Sequence, residues 1–359
     1  MTGLTTYTGG DPVLTFFNEH HAQHRGRHEM FRGALVPCFE KPERADLVVA
    51  ELGRRGLGKI VTPHGVPLVS LERIHTPRYL HFLRNAWHDW LALDPANADR
   101  DALPSVWPIR GMRADVEPDN FSARMGLYSM DSGTPLTAGS WIAAKTGADC
   151  AVNAAHALRL GERGTFALTR PPGHHAGADF FGGYCFLNNA ALAAQHLLDD
   201  GARRVGILDI DYHHGNGTQD IFYDRGDVLF TSIHADPRAE YPFYLGHADE
   251  TGAGAGEGCN LNLPLPKGSS KAQWFAALET ACIRLAGYAP DALVVSLGVD
   301  AFAGDPLSHF ALQSADFLRI GERIAYLGLP TVFVLEGGYA VAEIGINVVN
   351  VLEGFETAT

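Results

Sequence analysis

Residues 205–220 read VGILDIDYHHGNGTQD, an apolar run that breaks into acids and imidazoles. The run 205–208 is rich in branched residues, the pattern of a strand buried on both faces. Side chains on a strand repeat every second residue, so Asp209, Asp211 and His213 would share one face if the strand continued. Buried acids and imidazoles at this density are costly unless something pairs with them. Asp and His at this spacing suit one divalent cation such as Zn²⁺. The same residues could instead cap the strand through turn hydrogen bonds.

Four other apolar runs end in comparable residues. RPPGHH occupies 170–175, IHAD 233–236, LGVD 297–300 and EGGY 336–339. Ligands of open α/β sheets bind beyond the carboxyl ends of the strands. A single ending of this kind would be ordinary turn chemistry; five together point to one reactive centre. A catalytic zinc needs about three protein ligands and an open position, which Asp211, His213 and Asp300 can supply. Two aspartates and one histidine leave the metal formally neutral, so its water needs a general base, and His174 and His175 stand at a neighbouring strand end. Tyr339, on a glycine turn, could donate to a carbonyl oxygen as it gains charge. Such a centre hydrolyses an amide or ester.

These endings need a scaffold that presents strands in parallel. Strands are predicted at 13–17, 59–62, 165–169, 205–208, 228–232, 292–297 and 331–335. Helices are predicted at 41–55, 76–93, 138–160, 188–198, 271–285 and 314–327, with Thr76 as a cap and Pro77 in the first turn. Helical crossovers between buried strands imply an α/β fold, a doubly wound, mainly parallel sheet flanked by helices. Neither an internal repeat nor a low-complexity linker divides the chain, so 1–359 reads as a single domain. Residues 94–120 form a proline-rich insertion carrying Asp115, Glu117 and Asp119, either a solvated acidic loop or a cation-selecting rim. His20, His21, His24 and His28 read as rim histidines near a cavity rather than as a metal cluster. The glycines at 252–258 do not join a strand to a helix and so do not form a phosphate loop.

Composition narrows the function. The 359 residues are 46% hydrophobic and 19% charged, with a formal net charge of −13 from 28 basic and 41 acidic residues. That balance argues against nucleic acid as a partner and is compatible with cationic substrates. The five cysteines lie far apart without a CxxC pair, which predicts reduced thiols and neither disulfides nor a thiolate zinc site. The first residues carry no secretory pattern, and no apolar run approaches the roughly 20 residues that span a bilayer. The expectation is a cytoplasmic protein with no membrane or nucleic-acid partner.

RPPGHHA, GGYCFLNNAALAA, DIDYHHGNGTQDIFY, SLGVDAFAGDP and EGGYA resemble the zinc-dependent histone deacetylase superfamily, and the resemblance runs from about Phe31 to Glu356. FRGALVPCFEKPERAD, the 94–120 insertion and GINVVNVLEGFE make the chain most similar to the bacterial acetylpolyamine amidohydrolases. The resemblance implies an arginase/deacetylase-type fold and hydrolysis of an N-acetyl group to acetate and a free amine. It makes Asp211, His213 and Asp300 the Zn²⁺ ligands, with Fe²⁺ as an alternative metal. It makes His175 the general base and acid, His174 its electrostatic partner and Tyr339 the group that polarises the carbonyl. Asp209 would hold His174 and, with Ser232 and backbone carbonyls, bind a structural K⁺; Asn216, Asp in some relatives, would orient His175. Tyr184, Phe243, Gly183 and Leu307 would line the acyl channel. The insertion implies a homodimer whose partner chain narrows the mouth, with Glu117 pairing with a distal ammonium. The expected substrates are small cationic acetylamines, such as acetylpolyamines and acetylcadaverine. The alternative is a protein acetyl-lysine deacetylase or a deacylase of another small N-acyl compound.

Overall fold

The computed structural model of the protein describes residues 13–358, and the expectation about an N-terminal leader falls mostly outside them. The strands are β1 (Leu14–Phe17), β2 (His28–Phe31), β3 (Ala34–Pro37), β4 (Ile60–Val61), β5 (Gly164–Leu168), β6 (Val205–Asp209), β7 (Val228–Ala235), β8 (Asn260–Leu265), β9 (Ala292–Leu297) and β10 (Thr331–Leu335). The helices are α1 (Glu43–Arg55), α2 (Leu68–Leu71), α3 (Pro77–Leu93), α4 (Phe121–Leu127), α5 (Ser140–Arg159), α6 (Asn189–Asp199), α7 (Asn216–Phe222), α8 (Lys271–Tyr288), α9 (Ser314–Ala325) and α10 (Ile344–Thr357). Eight strands form one sheet in the order β4-β1-β5-β10-β9-β6-β7-β8, and every pairing in it is parallel.

Every residue of β5, β6, β9 and β10 is buried, as expected for strands covered on both faces. Alternate side chains enter two cores. Ala167, Ile207, Val294 and Val334 pack on one face with helices α3, α5 and α6. Phe166, Leu208, Val295 and Phe333 pack on the other with α1, α8, α9 and α10. Registration is tight where the chemistry gathers: Asp209 pairs with Ser296 across β6 and β9, and Leu335 with Leu297 across β10 and β9. The α3 start is as predicted, with the Thr76 side chain accepting from the Tyr79 N–H and Pro77 in the first turn, a cap worth about 1 kcal/mol.

Several elements lie beyond what periodicity predicts. β2 and β3 form an antiparallel hairpin turned by Arg32 and Gly33, both at positive φ, the geometry of a two-residue hairpin turn. β7 continues to Ala235 because β8 pairs along its length. β8 is an edge strand that tolerates Pro264. The histidine segment is a correction: His21 and His24 are not at a rim but buried. His24 Nδ1 lies 2.9 Å from Ser140 Oγ, and His21 Nε2 lies 3.3 Å from Asp46. The five cysteines are free thiols, and no helix among the described residues is long and apolar enough to cross a membrane.

Candidate active site

The end of β6 is shaped by its own carboxylates. Asp209 Oδ1 accepts from the Asp211 N–H at 3.1 Å, and Asp211 Oδ1 from the His213 N–H at 2.9 Å. Asp300, beyond β9, accepts from the Tyr212 N–H at 2.7 Å through Oδ1. The turn after β10 closes the arrangement, with the Gly337 N–H donating to Asp211 Oδ2 at 2.8 Å. A Cβ at Gly337 would stand 2.5 Å from Asp211 and 2.6 Å from Asp300 carboxylate oxygens, so only glycine fits there.

Asp211, His213 and Asp300 present ligand atoms that all lie within 4.8 Å of one another. His213 Nδ1 is 3.0 Å from Asp300 Oδ2 and 3.3 Å from Asp211 Oδ1. A tetrahedral zinc with bonds near 2.0 Å has ligand–ligand edges of about 3.3 Å, so these separations fit one. The electrostatics agree. Burial and the Asp211 charge push the Asp300 carboxyl up to about 8, because two buried carboxylates side by side resist joint ionisation without a cation between them.

His174 and His175 follow β5 with ring centroids 4.1 Å apart, yet their partners differ. His174 Nδ1 is 3.0 Å from the Asp209 carboxylate. Burial opposes its charge, but Asp211 and Asp209 outweigh that and raise it to about 10. His175 Nδ1 is 2.7 Å from Asn216 Oδ1, a neutral acceptor. Burial and then the charges of His174 and His213 hold its imidazole well below the usual range. One imidazole is thus cationic and its neighbour neutral. Ser232 sits opposite Asp209 in register, and its hydroxyl lies 2.8 Å from His234 Nδ1. His234, whose Nε2 meets the Gly246 carbonyl at 2.8 Å, is a paired core histidine.

These groups open into a cavity of about 530 Å³ lined by His175, His213, Asn216, Tyr339 and the predicted wall residues Gly183, Tyr184, Phe243 and Leu307. Tyr339 is buried, and burial keeps its hydroxyl protonated, well above the usual tyrosine range. Its backbone N–H donates to Asp305 Oδ2 at 2.6 Å, so Asp305 anchors the tyrosine's loop as well as its own turn. Tyr184 meets the Tyr339 ring edge-on, centroids 5.5 Å apart. Gly183, at φ +53°, passes so close to His175 that a Cβ would lie 2.2 Å from the imidazole. Phe243 is 49% exposed and stands at the mouth.

Glu117 is the one predicted channel residue that does not line the cavity. Its carboxylate accepts from the Tyr128 hydroxyl at 2.5 Å and lies 3.9 Å from Arg124. Sequence reasoning missed Glu29, Asp131, Glu240 and Tyr241, all of which line the cavity. Asp131 Oδ2 accepts from the Gly183 N–H and the Tyr241 hydroxyl, each at 2.6 Å. Tyr241 in turn stands edge-on to His175 at 5.0 Å. Glu29 accepts from the Tyr184 hydroxyl at 2.7 Å, and burial pushes its carboxyl up to about 7. Arg44, also missed, is fully buried. It donates to the Gly338 carbonyl at 2.6 Å and the Glu336 carbonyl at 2.5 Å, with its guanidinium 4.8 Å from the Tyr339 ring centroid.

Comparison with known proteins matches residues 38–355 to the histone deacetylase domain. The acetylpolyamine amidohydrolase 2 of Pseudomonas aeruginosa is 56% identical over 90% of this chain and 92% of its own. That of Mycoplana ramosa is 44% identical over 90% and 93%. The crystal structure of an acetylpolyamine aminohydrolase from Burkholderia pseudomallei superposes with a TM-score of 0.92 at 40% identity, covering 96% of this chain and 99% of that one.

Proposed function

The chain belongs to the histone deacetylase family and is a deacetylating hydrolase, and we propose that its substrates are small cationic acetylamines of the acetylpolyamine type. The observation that carries the substrate class is the cavity wall. Beside the reactive groups stand three carboxylates, Glu29, Asp131 and Glu240, against one guanidinium, Arg32. A cationic guest would favour the ionised form of Glu29, whose carboxyl burial otherwise disfavours. Relatives named for acetylpolyamines, at 55–56% identity over nine-tenths of the chain, support the same class. A protein acetyl-lysine deacetylase is the less favoured reading.

The reaction is assigned as follows. Asp211, His213 and Asp300 would hold the metal, which when bound would supply Lewis-acid polarisation of the acetyl carbonyl and a more acidic water. His175 donates through Nδ1 to Asn216, which leaves Nε2 bare to take the proton of the attacking water and return it to the leaving amine. His174, held cationic by its acids, stabilises negative charge developing beside it. The Tyr339 hydroxyl, protonated at neutral pH, donates to the carbonyl oxygen as it becomes an oxyanion. Tyr184, Gly183, Phe243 and Leu307 shape the channel for the acetyl group.

The reading extends to a Zn²⁺ centre that also accepts Fe²⁺, a structural K⁺ beside Asp209 and Ser232, a cytoplasmic location, and one catalytic domain over 1–359 with its insertion at 94–120. It also includes a homodimer. Val106, Ile109, Met112 and Val116 in the insertion are all exposed, an apolar surface suited to a second copy. In that dimer Glu117 would reach the mouth of the neighbouring protomer's cavity and meet a distal ammonium.

The test is kcat/KM of the zinc-loaded protein on acetylputrescine, acetylspermidine, acetylcadaverine and an acetyl-lysine peptide. Preference for the small amines is expected. Preference for the peptide would overturn the substrate class, and no turnover of any would overturn the assignment of the centre.

A further inference from the structure

A second set of donors converges far from the cavity, where the C-terminal turns of two packed helices meet. His156 lies in the last turn of α5, His196 in the last turn of α6, and Asp200 follows α6 directly. One oxygen, Asp200 Oδ2, is 3.3 Å from His196 Nε2 and 3.5 Å from His156 Nδ1. The imidazole rings stand 5.7 Å apart, and the three donor atoms all lie within 4.8 Å of one another.

Hydrogen bonding alone accounts poorly for this convergence. His196 Nε2 is shielded from solvent and makes no hydrogen bond that satisfies it. The separations of 3.3 and 3.5 Å approach the edge of about 3.3 Å that bonds near 2.0 Å to a tetrahedral zinc would give. His196 and Asp200 are four residues apart and face the same way, while His156 arrives from the other helix. The ligand count is that of a two-imidazole, one-carboxylate site, with water free to complete the shell from the exposed His156 side. Nearby charge is balanced: Arg159 donates to the Asp200 carbonyl rather than its carboxylate, and Asp199 is engaged by Arg73.

We propose that His156, His196 and Asp200 form a second metal site, taking a borderline divalent cation such as Zn²⁺ and clamping the C-terminal ends of α5 and α6. The site is independent of the deacetylase centre and does not rest on the substrate assignment.

Equilibrium dialysis of the full chain against Zn²⁺, with metal counted by mass spectrometry, tests this. The wild type should take up one equivalent beyond that of the Asp211 centre, and Co²⁺ in its place should give a second visible absorption band. His156→Ala, a change at an exposed side chain, should weaken the extra equivalent by about tenfold or more while leaving deacetylation and the first equivalent unchanged. Asp200→Asn should do the same, which guards against a local folding defect in either variant. The proposal is overturned if the wild type takes a single equivalent, or if both variants retain the second.

Discussion

Asn216 Oδ1 lies 2.7 Å from His175 Nδ1, while the neighbouring His174 has a carboxylate, Asp209, at 3.0 Å. Burial and the charges of His174 and His213 keep His175 neutral, while Asp211 and Asp209 hold His174 cationic, and the amide partner adds no charge that would offset the first effect. Asn216→Asp should therefore raise the His175 pKa. The reaction needs His175 neutral, so the acid limb of the kcat/KM profile should move to higher pH, by about one unit or more. Metal content should not change. A pH–rate profile of wild type and variant checks this, and an unmoved limb would detach Asn216 from the base.

Tyr339→Phe removes the hydroxyl proposed to donate to the reacting carbonyl and leaves the ring and its packing on Arg44. A fall in kcat of about 10²–10³-fold with little change in KM is expected. A loss confined to KM would mean that the tyrosine only binds substrate.

Removing the metal should cost both activity and stability. Chelated protein should lose turnover, melt at lower temperature and recover on adding Zn²⁺. The Asp300 carboxyl, pushed up to about 8 by burial and by Asp211, holds a proton that the cation must displace. Metal affinity should accordingly fall as pH drops below about 8, with protons released on binding. Calorimetry in buffers of different ionisation enthalpy measures that release directly.

Arg44→Ala removes two bonds donated to the carbonyls of the Tyr339 turn and one donated to the Glu40 carboxylate, all inside the protein. Breaking a buried pair of this kind costs about 3–5 kcal/mol, read as a shift in the urea midpoint. Arg44→Lys keeps the charge but not the fork. It should recover part of the stability while kcat stays low, because the turn that presents Tyr339 is then held less firmly.

Buried histidines weaken the fold as the medium turns acid. His75 is enclosed, with Nδ1 3.0 Å from the Gly177 carbonyl and Nε2 accepting from the Asn188 N–H at 3.0 Å. Burial lowers it to about 4 from 6.5. A histidine depressed in the folded state contributes stability that is present above pH 6.5 and lost as pH falls towards 4, since the unfolded chain takes up the proton first. Unfolding free energy should decline over that window, and His75→Gln should flatten the decline. Denaturant titrations at several pH values give the slope.

The sheet and its reactive edge were legible because each ligand or base follows directly on an apolar strand, so motif and position coincide in sequence. DIDYHH and LGVD carry the proposed metal ligands in this way. The cavity wall was not legible, because Glu29, Asp131 and Tyr241 come from a hairpin and loops whose course depends on distant contacts. The histidines near the N-terminus failed for the same reason. Their segment is polar locally, but it is buried around Glu40, whose carboxylate meets the Arg170 guanidinium at 2.7 Å across 130 residues of chain. β8 escaped notice because its asparagines serve the interior: Asn260 and Asn262 both donate to Gln219 Oε1, at 3.0 and 2.8 Å.

β10 is the last strand of the sheet in the chain, yet it lies between β5 and β9 at the middle of the order. During synthesis the slot for it stays open until nearly all the polypeptide has left the ribosome. Gly337 and Tyr339 enter only with that strand, so a nascent or truncated chain has Asp211 without the amide that braces it. Asp211, His213 and Asp300 all precede that strand, whereas the hydroxyl of Tyr339 follows it, so the finished site waits for the final strand to insert.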